Sequence, residues 1–218
     1  MTIAASDDGV RTLIAESHSA GNLPAECRSA LRAVPREWFI PARMWVQETE
    51  DEPYQAVDRA VEPDRWLAAV YSNRVIVTQF DDGAVVWPEV GDRPTCSASM
   101  PSVVTGMLAE LDARPGHAVF EVGTGTGWSS ALLAHIVGGQ GKVTTVEIDP
   151  TLAADARKRL DAAGFTEVDA RLADGVADVL PDTVDRIIAT VGVYIGQLSY
   201  PWVGAHSAGR RDPRTDAG

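Results

Sequence analysis

The strongest constraint on this chain is the passage Phe120-Glu121-Val122-Gly123-Thr124-Gly125-Thr126-Gly127-Trp128, in which an apolar strand runs into alternate glycines and then into an apolar helix. Glycine reaches left-handed backbone at no steric cost, so such a turn lets a ligand touch the main chain at a helix N-terminus. The turn opens a regular alternation: strand Ala118–Val122, helix Ser129–Val137, strand Val143–Ile148, helix Leu152–Ala163, then strands Val168–Leu172 and Val184–Val191. Strands separated by helices of this length predict an α/β fold with a parallel sheet.

Upstream, residues 9–33 read as two short helices broken near Gly21 and Pro24. The segment Val34 to Pro41 is fenced by prolines and reads as a packed connector. Residues 47–66, rich in acid and proline, predict a solvated insertion. Two β-rich runs, Arg74–Phe80 and Ala84–Trp87, flank Asp81-Asp82-Gly83 and predict a hairpin. An amphipathic helix over Ser102–Leu111 stops at Arg114-Pro115-Gly116. The predicted organisation is an N-terminal extension of helices and a β-hairpin at 1–95, a ligand-binding α/β domain at 96–203, and a disordered tail at 204–218.

Charge narrows the partners. With 19 Lys+Arg against 31 Asp+Glu the net charge is −12, and no basic block interrupts it. Nucleic acid and anionic membrane surfaces are therefore disfavoured. Cys27 and Cys96 stand far apart without a Cys or His cluster, which supports neither a metal site nor a disulfide framework and fits a reducing cytoplasm. Asp7 and Asp8 stand where a secretory signal needs a basic start, and no apolar run is long enough to span a membrane.

Two ligand classes bind glycine turns of this kind. A dinucleotide fingerprint, G-x-G-x-x-G, needs its third glycine at position 128, where this chain has Trp128. The acid-x-G-x-G-x-G pattern present instead resembles the turn of adenosylmethionine-dependent methyltransferases, with Glu121 as an acid suited to positive groups of the ligand. Glu147, at the carboxyl end of its strand, is placed to accept both ribose hydroxyls. Asp174-Gly175 after the third strand is a candidate for the adenine amino group, although Asp-Gly alone is most often only a turn.

The pieces Val34-Pro35-Arg36 with Phe39-Ile40-Pro41, Ser99-Met100-Pro101, Phe120 to Trp128, Val146-Glu147, Ala173-Asp174-Gly175 and Asp185-Arg186-Ile187-Ile188 occur in one order along the chain. Together they resemble the protein-L-isoaspartate O-methyltransferase family, a Rossmann-like class I methyltransferase branch. The resemblance implies S-adenosyl-L-methionine as cofactor, bound by Glu121, Gly123, Thr124, Gly125, Gly127, Glu147, Asp174 and Gly175. It also implies Ser99 as the serine that orients the acceptor carboxylate, with Thr190 and Val191 near the acceptor mouth. The implied substrate is a protein or peptide carrying isoaspartyl or aspartyl residues. A carboxylate with a reference pKa near ~4 is already ionised at neutral pH, so no general base is required, and His117 and His135 read as structural. The resemblance further implies that the following backbone amide attacks the ester carbonyl and displaces its methoxy group as methanol, to give a succinimide.

Three departures accompany the resemblance. The link from Pro41 to Ser99 is longer than the family's, and Met100 replaces its usual Gln; both features resemble an actinobacterial branch that methylates aspartate in ribosomal peptides. After Tyr200-Pro201-Trp202-Val203 polar residues end the chain where the family continues, so the sheet is expected to lack its last strands. The competing expectations are a truncated, inactive fragment with residual cofactor binding and, further off, a nicotinamide-dependent oxidoreductase.

Overall fold

The computed structural model describes residues 7–21, 23–49, 51–175, 180–181, 184–192 and 202; the tail expected at 204–218 lies outside the described residues. Helices α1 (Asp7–Ala20) and α2 (Ala25–Ala33) are separated at Gly21 and Pro24, as their sequence predicts. Their apolar positions Val10, Leu13, Cys27, Ala30 and Leu31 enter the main core. The proline-fenced segment packs as a connector, with a 3-10 turn at Arg36–Trp38 and Phe39 fully buried.

An antiparallel sheet follows, built from β1 (Arg43–Val46), β2 (Gln55–Asp58), β3 (Ile76–Phe80) and β4 (Pro94–Ala98) in the order β2-β1-β3-β4. Two sequence expectations are corrected here. Residues 47–66 are not a solvated insertion, because β2 pairs with β1 and α3 (Pro63–Val70) starts inside the same stretch. The apolar anchors are few but large: Val57 and Trp66 are buried, and the Trp66 indole donates to the Pro41 carbonyl at 2.9 Å. The hairpin exists, but the partner of β3 is β4 and not Ala84–Trp87. Asp81 closes a longer loop: its carboxylate accepts from the backbone N–H of Asp92 and Arg93, and its own N–H donates to the Arg93 carbonyl. Val85 and Trp87 instead pack over a satellite cluster of Trp45, Val77 and Phe80.

Helix α4 (Pro101–Leu111) begins with proline in its first turn and ends at Asp112 in left-handed backbone. After it come β5 (Ala118–Val122), α5 (Trp128–Val137), β6 (Lys142–Glu147), α6 (Pro150–Ala162), β7 (Asp169–Leu172) and β8 (Arg186–Ala189). The four strands are parallel, in the order β7-β6-β5-β8. The chain thus works outward through β5, β6 and β7 and then returns to the far side of β5. Doubly wound sheets bind ligands at such a reversal, outside the carboxyl ends of the strands. Successive residues of β5 serve opposite faces, as the pleat requires. Val119 joins the main core with Val143 and Ile188, while Phe120 and Val122 join Val146, Val184 and Trp202 on the other side. The Trp202 indole donates to the Gly175 carbonyl at 2.8 Å, which ties that covering residue to the end of β7.

Candidate functional site

The reversal between β5 and β8 opens into a cavity of about 330 Å³. That volume lies within the roughly 300–1,000 Å³ of small-molecule sites. One wall is the turn after β5. Gly123, Gly125 and Gly127 have φ of +99°, +53° and +88°, in the left-handed region where a side chain is strained. A Cβ on Gly123 would stand 2.5 Å from Val191 Cγ1 and 2.8 Å from Thr190 Oγ1, so the turn can lie against the strand-end of β8 only as glycine. Thr190 secures this approach, its hydroxyl donating to the carbonyls of Gly123 at 2.6 Å and Val122 at 3.1 Å.

The second wall is the end of β6. Oε2 of Glu147 accepts from the Gly125 N–H at 2.9 Å, and Oε1 accepts from the Ile148 and Asp149 N–H groups. The carboxylate is therefore fixed beside the turn with lone pairs left for a ligand. Ile148, beside it, lines the cavity and is 70% exposed, an apolar surface at the mouth. The third wall is the antiparallel sheet: Thr95 through Ser99 of β4 and the corner that follows it all line the cavity, facing the glycine turn. Burial pushes the Cys96 thiol above its ordinary pKa. The apolar floor comes from Val104, Met107 and Leu108 of α4.

The structure brings Ser99, Gly123, Thr124, Gly125 and Glu147 to one cavity, together with Thr190 and Val191. Glu121, Gly127, Asp174 and Gly175 stand outside its lining. Glu121 is fully buried, with its carboxylate accepting from the hydroxyls of Ser129 and Ser130. Burial raises its pKa, against the lowering effect of those hydroxyl donors. Gly127 lets the start of α5 approach α6, since a Cβ there would meet Leu160 at 3.3 Å. Gly175 packs against β5, where a Cβ would meet Val122 at 2.5 Å, and Asp174 is exposed beside it. His117 accepts from the Arg114 N–H, and His135 shares a hydrogen bond with Ser29; neither reaches the cavity.

Sequence reasoning missed Thr95, Cys96, Ile148 and the α4 residues. Ile148 carried a usable signal, being an apolar residue immediately after the acid that ends a strand. The β4 residues carried none, because their approach depends on a buried cation. Arg36 is fully buried and donates five hydrogen bonds, to the carbonyls of Val70, Ser72, Arg74, Ala98 and Ser99. Its guanidinium also lies 5.4 Å from the ring centroid of Trp128, whose indole donates to the Val34 carbonyl. Burial without a carboxylate partner lowers the Arg36 pKa to about 9, still charged at neutral pH. One cation thus joins the corner that carries Ser99 to the helix that follows the glycine turn.

Comparison with known proteins finds relatives over most of the chain. The family model for protein-L-isoaspartate(D-aspartate) O-methyltransferase matches residues 9–194. A protein-L-isoaspartate O-methyltransferase of Ignicoccus hospitalis is 32% identical over 182 residues, covering 83% of this chain and 68% of the relative. The protein-L-isoaspartate O-methyltransferase 2 of Archaeoglobus fulgidus is 46% identical over 154 residues, 71% of this chain and 54% of the relative. A solved protein-L-isoaspartate O-methyltransferase shares the fold with a TM-score of 0.62 at 24% identity, over 84% of this chain and 48% of that one. The chain therefore spans between 48% and 68% of the length of these proteins.

Proposed function

The chain belongs to the protein-L-isoaspartate O-methyltransferase family, and from that premise we propose that it methylates the carboxylate of isoaspartyl or aspartyl residues in proteins or peptides, with S-adenosyl-L-methionine as donor. The observation that carries this reading is a single cavity in which the glycine turn and Glu147 face Ser99.

The residues fit that cofactor. Gly123 and Gly125 offer main chain where a side chain would fill the cradle, and Thr124 lies between them. Glu147 is held by three N–H groups and accepts ribose hydroxyls with its remaining lone pairs. Ile148 offers an apolar surface to the base. Glu121 acts at one remove, fixing Ser129 and Ser130 at the start of α5, and Gly127, Asp174 and Gly175 support the turns around the site. When bound, S-adenosyl-L-methionine supplies an electrophilic methyl group on a sulfonium centre.

The chain's own contribution is placement. Ser99 donates its hydroxyl to one oxygen of the acceptor carboxylate, leaving the other oxygen, already ionised at neutral pH, as nucleophile. Val104, Met107 and Leu108 exclude water from beside the reacting groups. In the methylated product the next backbone nitrogen attacks the ester carbonyl, its proton leaves with the methoxy group as methanol, and a succinimide remains. No helix among the described residues is long and apolar enough to cross a membrane. Both cysteines are free and buried, and we place the protein in the reducing cytoplasm.

Incubation with the donor and either an isoaspartyl peptide or an aspartyl precursor peptide, read by mass spectrometry, tests the reading. Gain of a methyl group by the isoaspartyl peptide assigns protein repair, and gain by the aspartyl peptide alone assigns peptide tailoring. Ser99→Ala slows either reaction and leaves cofactor affinity unchanged. Methylation of neither peptide by a chain that binds the cofactor overturns the assignment.

A further inference from the structure

Gln79 lies outside the cavity lining, yet it bridges two of the cavity's walls. Its Oε1 accepts from the hydroxyl of Thr95, in the β4 wall, at 2.9 Å. Its Nε2 donates to Oδ2 of Asp149, on the turn after β6, at 2.9 Å. Asp149 is engaged on every side. Its Oδ1 caps α6 by accepting from the N–H of Thr151 at 2.7 Å and Leu152 at 3.0 Å, and its own N–H donates to Glu147 at 3.2 Å. An unbroken run of hydrogen bonds therefore leads from the acceptor wall through one amide to the Glu147 carboxylate and on to the Gly125 N–H.

The backbone is irregular at the residue that does this. The β3–β4 register shifts both between Val77 and Gln79 and between Gln79 and Phe80. Ile76 and Phe80 would share a face in a regular strand, but Ile76 joins the main core and Phe80 the satellite cluster beside Val77. A bulge of this kind re-aims a side chain and recurs next to functional sites. Here it turns Gln79 toward a helix terminus of the other sheet. Cofactor sites depend on supporting groups that lock the contacting residues in place.

We propose that Gln79 is a positioning residue, which sets the Glu147 turn against the acceptor strand and so tunes cofactor affinity from the antiparallel sheet. The proposal rests on the reading that Glu147 holds the cofactor. Calorimetric titration of the full chain with S-adenosylhomocysteine tests it. Gln79→Leu is expected to raise Kd about tenfold, the size of one hydrogen bond to a charged group. Gln79→Glu sets two carboxylates against each other and is expected to weaken binding further. The double variant Gln79→Glu/Asp149→Asn is expected to recover affinity. Its new carboxylate accepts from Thr95 and from the new amide at 149, and Asn caps a helix as well as Asp. Rescue by this exchange ties the effect to the hydrogen bond between positions 79 and 149. Wild-type affinity in Gln79→Leu, or a double variant no tighter than Gln79→Glu, overturns the proposal. If the wild type itself binds no S-adenosylhomocysteine, the cofactor reading falls, and hydrogen exchange of the ligand-free chain decides on Gln79. Faster exchange at Gly125, Thr151 and Leu152 in Gln79→Leu than in wild type supports the clamp, and equal exchange overturns it.

Discussion

In the parallel sheet, β5 to β8 meet in even register and direct their carboxyl ends to one edge, where N–H groups and the Glu147 carboxylate converge. In the antiparallel sheet, the β3–β4 pair shifts its register twice, and the sheet presents to that edge only the hydroxyl-bearing strand β4. The first sheet supplies ligand-holding chemistry from the backbone. The second supplies a wall whose position must be fixed by side chains, and Arg36 and Gln79 are the ones that fix it. A site assembled from two sheets is thus sensitive at the fasteners as much as at the contacting residues.

The comparison breaks most visibly at Arg36. Arg36→Met strands five carbonyls on two segments and is expected to cost about 5 kcal/mol, the lower end of the scale of ~1–3 kcal/mol for each unsatisfied buried group. Urea unfolding monitored by circular dichroism measures it. Gly123→Ala acts on the parallel side, through a φ of +99° and the contact with Val191. It is expected to cost about 2–3 kcal/mol and to abolish the rise in Tm caused by S-adenosylhomocysteine. Glu147→Gln keeps the shape of the side chain but removes its charge, and the expected result is a tenfold or greater rise in cofactor Kd, about 1.4 kcal/mol, with unfolding little changed. The smallest effect sharpens the comparison at the outer strand β7. The Arg171 side chain hydrogen-bonded to Asp169, with Lys142 nearby, holds the Asp169 carboxyl below the usual range, against a partial desolvation that raises it. Its stabilisation is therefore present above the unfolded-state pKa and is lost as pH falls through the folded one. Asp169→Asn is expected to cost under about 1 kcal/mol at pH 7, since the pair is part-exposed. At a pH below both pKa values the cost should vanish, as thermal melts at the two pH values would show.

The parallel sheet was legible in the sequence because its central strands β5 and β6 run into a glycine turn and a proline-led helix, and each of its helices and strands lies within a few residues of its expected place. That Gly123, Thr124, Gly125 and Glu147 share one cavity was legible for the same reason, as they follow or end recognisable strands, whereas Ser99 was singled out only by the family resemblance. The antiparallel sheet was half legible. Asp81-Asp82-Gly83 announces a turn, but the choice between Ala84–Trp87 and Pro94–Ala98 as the returning strand is made by distant partners. Asp81 ties off the loop, and Trp45 and Phe80 claim Val85 and Trp87 as cover. Residues 47–66 look solvated by composition, and it is the β1–β2 pairing and the burial of Val57 and of Trp66 that reveal that they fold. Glu121 looks like a ligand contact from its neighbours in sequence, but the serines at the start of α5 reach it first.

Arg36 also orders events in time. Its acceptors lie between 34 and 63 positions further along the chain, so its hydrogen bonds cannot close until the segment that carries Ser99 has been made and has collapsed against the N-terminal helices. Contacts of such span form late, after loop closure has been met by nearer ones. Arg36 should then govern how slowly the fold comes apart rather than how fast it assembles. The expected outcome is a φ-value near zero for Arg36→Met, with nearly all of its effect in the unfolding rate.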